Sequence, residues 1–200
     1  MRKALIVVVV LVALSFQGCI VKSVHPFYNE RDVVYKAAFD GRWEDKDHVK
    51  WTIHRNPFKN DSYEMHCSKN GREVSLLGHL FMLNDDLYLD IIPLQDNTEE
   101  VLVFDLHMVP THSIARVDIV NNDEVNILWF DEEWLRKMFN QNRIRISHEM
   151  IMDAQPEGKD DGMYLLTAST DELQKFIIKY GKDERAYDEA NLSLKLKRVN

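Results

Sequence analysis

His107 and His112 stand either side of Val109-Pro110-Thr111, His66 adjoins Cys67, and His54 and His79 fall on strand-like segments that could be neighbours. Imidazoles and a thiol are the donors a zinc-type ion takes, but a metal centre needs three or four of them to converge. No C-x-x-C, H-E-x-x-H or H-x-H spacing, which would set ligands on one face at bonding distance, occurs in the chain. The sequence is therefore read as holding no metal and no cofactor, with its histidines solvated or hydrogen-bonded. Acyl transfer lacks its parts as well: there is no G-x-S-x-G elbow, and Ser113, Ser147 and Ser169 sit in strand or helix-cap contexts. Asp85-Asp86 and Glu132-Glu133 are adjacent pairs, and adjacent residues on a strand point to opposite faces, so neither pair flanks one bond. Seven glycines in 200 residues form no loop that would cradle phosphate. No catalytic residue is assigned, and a non-catalytic protein is expected.

Cys19 is different, because the residues before it prescribe its chemistry. Arg2 and Lys3 precede a hydrophobic run from Ala4 to Phe16, and Gly18 supplies a small residue just before the thiol. That run is shorter than the roughly 20 residues needed to span a bilayer and has the length of an export signal's core, about 7–15 residues. Phe16-Gln17-Gly18-Cys19 resembles a bacterial lipobox at Gly18 and Cys19 and departs from it at Phe16 and Gln17. The resemblance implies cleavage after residue 18 and acylation of Cys19. A single acyl chain, at about 0.8 kcal/mol per buried methylene, anchors only marginally, so the several chains of a lipoprotein cysteine make the difference between transient and lasting attachment. Ile20 stands where enteric bacteria place Asp to retain a lipoprotein at the inner membrane; the resemblance thus implies the outer membrane, facing the periplasm.

The balance of charge excludes some partners. Removing residues 1–18 takes away Arg2 and Lys3 and no acid, which moves the formal charge from −8 to −10. A chain this acidic is not expected to bind nucleic acid or to hold a membrane by a basic face. With Cys19 lipidated, Cys67 is left without an intramolecular disulfide partner. It alternates with Tyr63 and Met65 and is expected to be an inert core thiol.

These residues must be positioned by a mainly β domain. Residues 1–18 are read as a signal peptide, 19–39 as the lipidated cysteine and a tether lying against the domain, and 40–200 as one β-rich domain. Strand patterns cover 51–55, 62–68, 74–83, 87–94, 101–109, 113–120 and 124–130, with Asn-Gly and Asn-Asp turns between several of them. Asp131 starts a helix over 132–140, and Ser169 with Glu172 forms a capping box before Leu173, Phe176, Ile177 and Tyr180, ended by Gly181 at a C′ position. Further strands are expected at 146–151, 163–169 and 192–199, the last closing the sheet. About nine strands in one domain must hide two edges, and closure of the meander into a barrel or half-barrel does so. Trp43, Trp51, Phe81, Tyr88, Phe104 and Trp129 are the candidate lining of a cavity for an apolar ligand; the same aromatics are large enough to fill the barrel.

Gly41-Arg42-Trp43 resembles the Gly-x-Trp of lipocalin-type barrels. SVHPFYNERDVVY at 23–35, followed by this triplet, is similar to the mature N-terminus of a family of uncharacterised bacterial lipoproteins, with Asn29 in place of Thr, and LLTASTDELQKFIIKY at 165–180 resembles its C-terminal part. That family implies no catalytic residues. The expectation is a lipid-anchored envelope lipoprotein whose barrel binds an envelope protein or, as a carrier, a small apolar molecule; a hydrolase or metal enzyme is the third reading.

Overall fold

Apolar residues recurring through the segments from Gly41 to Trp129 give each strand a side to turn inward, and the computed structural model arranges those strands as a closed ring. It describes residues 20–56, 58, 61–69, 71–94, 109–151, 162–188, 190 and 192–199. The elements are β1 (Lys22–Ser23), β2 (Gly41–Glu44), β3 (Lys50–Arg55), β4 (Ser62–Lys69), β5 (Arg72–Leu83), β6 (Asp86–Pro93), β7 (His112–Asn121), β8 (Glu124–Trp129), α1 (Glu132–Asn140), β9 (His148–Ile151), β10 (Met163–Leu166), α2 (Thr170–Tyr180) and β11 (Ser193–Arg198). Eight of these strands form an antiparallel barrel in the order β6-β5-β4-β3-β2-β11-β8-β7, closed by pairing of β6 with β7. The C-terminal strand β11 forms as its alternation indicates and sits between β8 and β2. The expected strand at 101–109 lies outside the described residues except for Val109, which is exposed and outside any strand.

A second layer covers one wall of the barrel. β1 continues the edge of β7 where β8 has ended, β10 runs parallel to β1, and β9 completes this extension. Both helices begin as their sequences dictate: Asp131 accepts the Glu133 N–H at 2.9 Å, and Ser169 and Glu172 form the capping box. Their apolar faces, with Trp134, Leu135, Phe176 and Ile177, join Phe81, Tyr88, Ile114 and Leu128 from the outer face of the barrel. The stretches of β5 to β8 beneath this layer are thus buried on both sides, at roughly 1.5–3 kcal/mol for each large side chain removed from water. Gly181 ends α2 with φ −62°, not in the left-handed conformation expected of a C′ glycine. Its requirement is steric, since a Cβ there would collide with the Tyr88 hydroxyl and the Ile177 carbonyl.

Residues 20–39 are woven into the domain. Ile20 bridges Asp131, the Val21 N–H donates to Phe130 O at 3.1 Å, and Val21 and Phe27 are fully buried. Val33 then bridges Phe81, on the stretch of β5 that β4 leaves free, and a 3-10 turn at Ala37–Phe39 drives Phe39 into the barrel end.

Candidate functional site

The barrel interior is filled by its own side chains. Trp43, Phe39, Ile53, Tyr63, Met65, Leu80 and Leu89 form one cluster, each no more than 1% exposed. Trp43 Nε1 donates to Phe39 O at 3.2 Å, and the Arg198 guanidinium lies 4.2 Å above the indole while donating to Asp40 O and Ala38 O, both at 2.9 Å. Gly41, at φ +149°, leaves room for that guanidinium, which a Cβ would strike. Glycine and tryptophan in the triplet therefore serve one closure, in which Arg198 clamps the N-terminal turn over the barrel end.

Of the candidate cavity residues, Trp43, Trp51 and Trp129 come together in this interior, Trp51 directly opposite Trp43 and both Trp51 and Trp129 half-buried. Phe81 and Tyr88 do not: they face outward and pack with the helical layer, their rings 5.8 Å apart. Alternation explains it, because Leu80 and Leu89 take the inward positions beside them. Phe104 lies outside the described residues, as do Cys19 and His107.

Where β6 and β7 part, the ring opens into a cleft of about 600 Å³. Their pairing spans Tyr88↔Arg116 to Ile91↔Ser113, and beyond it Leu87, Val117 and Ile119 of the interior cluster reach the cleft wall. Tyr35 to Ala38 form one side, and Met82, Asp85, Asp86 and Asp118 complete the rim. Arg116 is fixed beside it by a fork to Glu184, 3.2 and 3.3 Å, and by stacking 4.5 Å from the Tyr187 ring. A second concavity, about 430 Å³, runs between α2 and residues 142–146 and brings Arg143, Arg145, Lys175 and Lys179 together against a single acid, Glu172.

Among the described histidines, His79, His112 and His148 act as buttresses, and His54 and His66 form one convergent group. His79 stacks on Tyr28 with centroids 4.4 Å apart, and His148 on Phe139 at 3.9 Å. His112 Nδ1 lies 2.7 Å from Asp90 Oδ1. His54 and His79, expected on neighbouring strands, lie on β3 and β5 with β4 between them. His54 instead faces Glu64 directly across the β3–β4 ladder, and His66 follows on the same face of β4. An E-x-H pair on one strand with a histidine opposite was the signal available in the sequence, but it acts only through the hairpin register. Cys67, half-buried opposite Trp51, has its thiol pushed up by burial, which disfavours the reactive thiolate.

Comparison with protein families, curated proteins and solved structures gives no match. Among the described residues no helix is long and apolar enough to cross a membrane.

Proposed function

We propose that this chain is a lipid-anchored cell-envelope protein, acylated at Cys19 and held at the periplasmic face of the outer membrane, whose barrel binds a partner rather than turning over a substrate. The observation that carries the binding reading is the 600 Å³ cleft at the parted β6–β7 seam. A filled barrel offers recognition at its surface, and this cleft combines apolar wall residues with a charged rim, the composition of a binding concavity. The anchoring reading rests on residues 1–19 and on the resemblance of 23–43 and 165–180 to uncharacterised bacterial lipoproteins; the Gly-x-Trp triplet and the eight-strand barrel support kinship with lipocalin-type barrels.

The carrier is the second reading, favoured by one feature: Leu87, Val117 and Ile119 connect the cleft wall to the interior cluster. Withdrawal of the Ala37–Phe39 turn would extend the cleft inward for an apolar ligand.

Two measurements test the proposal. Mass spectrometry of the membrane-extracted protein should find acylated Cys19 as the first residue; an unlipidated product, or one starting elsewhere, removes the anchor. Photo-crosslinking in cells from Asp118, on the cleft rim, should trap a defined protein that the same probe at Lys195 does not. Equal trapping from both positions defeats the cleft reading, and an extractable apolar molecule in place of a protein adduct establishes the carrier.

A further inference from the structure

On the outer wall of the barrel, three metal-ligating side chains from one hairpin converge. Glu64 Oε2 lies 3.3 Å from His54 Nε2 and 3.6 Å from His66 Nε2, and the two imidazoles stack with centroids 5.4 Å apart and planes 18° from parallel. One ligand atom from each residue falls within 4.8 Å of the others. We propose that His54, Glu64 and His66 form a binding site for a divalent transition metal of the zinc class.

The two Glu64 separations fit a metal site better than direct hydrogen bonds. A hydrogen bond between an imidazole N–H and a carboxylate settles at about 2.7–3.2 Å, and both separations exceed that. Ligands on a tetrahedral ion at about 2.0–2.2 Å from the metal sit about 3.3–3.6 Å from one another. An octahedral magnesium ion, with bonds of about 2.0–2.1 Å, would need adjacent ligands about 2.8–3.0 Å apart and prefers oxygen donors over imidazole. The two Glu64 separations and the donor types point to the same class.

For Glu64 and His66, the atoms not used as ligands are already held. Glu64 Oε1 accepts from Asn56 Nδ2 at 2.8 Å, and Asn56 is buried, its own backbone N–H donating to Ser62 O at 2.9 Å. His66 Nδ1 lies 2.9 Å from Ser75 Oγ on β5, and with Nδ1–H donating to that hydroxyl the Nε2 lone pair is free to ligate a metal. Partners of this kind orient metal-binding histidines and carboxylates, and their loss typically costs 10–100-fold in affinity. His54 and His66 are partly exposed, which leaves a fourth position for water or a donor from another molecule. The acidic chain supplies an attractive field for a cation.

The test uses the full chain in detergent, purified without a polyhistidine tag and stripped with a chelator, then titrated with Zn2+ alone in a calorimeter. One saturable equivalent is expected, with affinity at least about tenfold weaker in His54→Ala, Glu64→Gln and His66→Ala, about tenfold weaker in Ser75→Ala, and unchanged in His148→Ala. Imidazole NMR on the unmodified protein gives a reading independent of variant folding: the His54 and His66 resonances should move together with Zn2+ while those of His112 stay. A protein that binds no Zn2+ saturably, variants that bind as tightly as the original, or displacement by equimolar Mg2+ would each overturn the site.

Discussion

Asp90 holds Phe27 by its backbone: the fully buried carboxylate accepts the Phe27 N–H on Oδ2 at 2.8 Å, while its Oδ1 lies 2.7 Å from His112 Nδ1. One side chain on β6 thus ties the N-terminal segment to the barrel and to the first residue of β7. Hydrogen bonds to a charged group are worth about 1.5–3 kcal/mol, and a buried donor left unpaired costs more than the bond alone. Asp90→Ala should lower stability by about 3 kcal/mol and Asp90→Asn by about half that, read from urea unfolding. Amide hydrogen exchange at Phe27 should accelerate in both. Losses under about 0.5 kcal/mol would show that the N-terminal segment docks without this carboxylate.

Gly181 and Tyr88 make a coupled pair. Gly181→Ala places a methyl group against the Tyr88 hydroxyl and the Ile177 carbonyl, and overpacking of this kind costs about 1–3 kcal/mol. Tyr88→Phe removes one of the two obstacles. The double variant should therefore be more stable than the sum of the single losses by at least about 0.5 kcal/mol, and simple additivity would contradict the contact.

Stability should fall at alkaline pH through buried phenols. Burial, with Asp86 adding to it and Arg116 opposing, pushes Tyr88 up to about 12 from 10.0. Tyr28 also rises to about 12, from burial first and then from Asp90 and Glu30. The unfolded chain ionises these groups near pH 10 while the folded chain keeps them neutral, so their contribution is intact below pH 10 and is lost as pH rises towards 12. For Tyr88 that amounts to about 2–3 kcal/mol. Unfolding free energies measured across this window should decline less steeply in Tyr88→Phe, and an identical slope would refute the assignment.

Arg198 cannot be replaced by another cation. Its fork reaches Asp40 O and Ala38 O while its plane covers Trp43, and a lysine ammonium offers neither the fork nor the stacking plane. Arg198→Lys should cost about 1–3 kcal/mol and shift tryptophan emission as the Ala37–Phe39 turn loosens over the barrel. Unchanged emission and stability would mean that the turn is held by Phe39 alone.

Local chemistry was legible in the chain, and relations between distant segments were not. The capping box at Ser169 and Glu172, the Asp131 cap and the strand pattern of β11 all follow from residues close in sequence. Phe81 and Tyr88 could not be assigned a side by alternation, because β5 and β6 are buried on both faces and carry apolar residues at odd and even positions alike. The His54–Glu64–His66 cluster depends on which residues the 56–61 connection brings opposite one another. The basic concavity by α2 is invisible in a net charge of −8, which sums over the whole surface. Gly181 was legible as a glycine position, but its reason, the Tyr88 hydroxyl, lies on another element.

Under the proposed acylation of Cys19, the bridge from Ile20 to Asp131 sets how far the domain stands from the bilayer. With acyl chains on Cys19, a single peptide unit of 3.8 Å separates the lipid attachment from a residue already locked into the sheet, so the domain has no slack to wander. β7 leads from that end of the barrel to the cleft: Ile114 accepts the Phe130 N–H and the lining begins at Arg116, so a few residues at about 3.3 Å each, tilted as barrel strands are, place the cleft only about 5–13 Å further along. Under the proposed anchoring a partner would meet the cleft close to the bilayer, within reach of a short juxtamembrane loop.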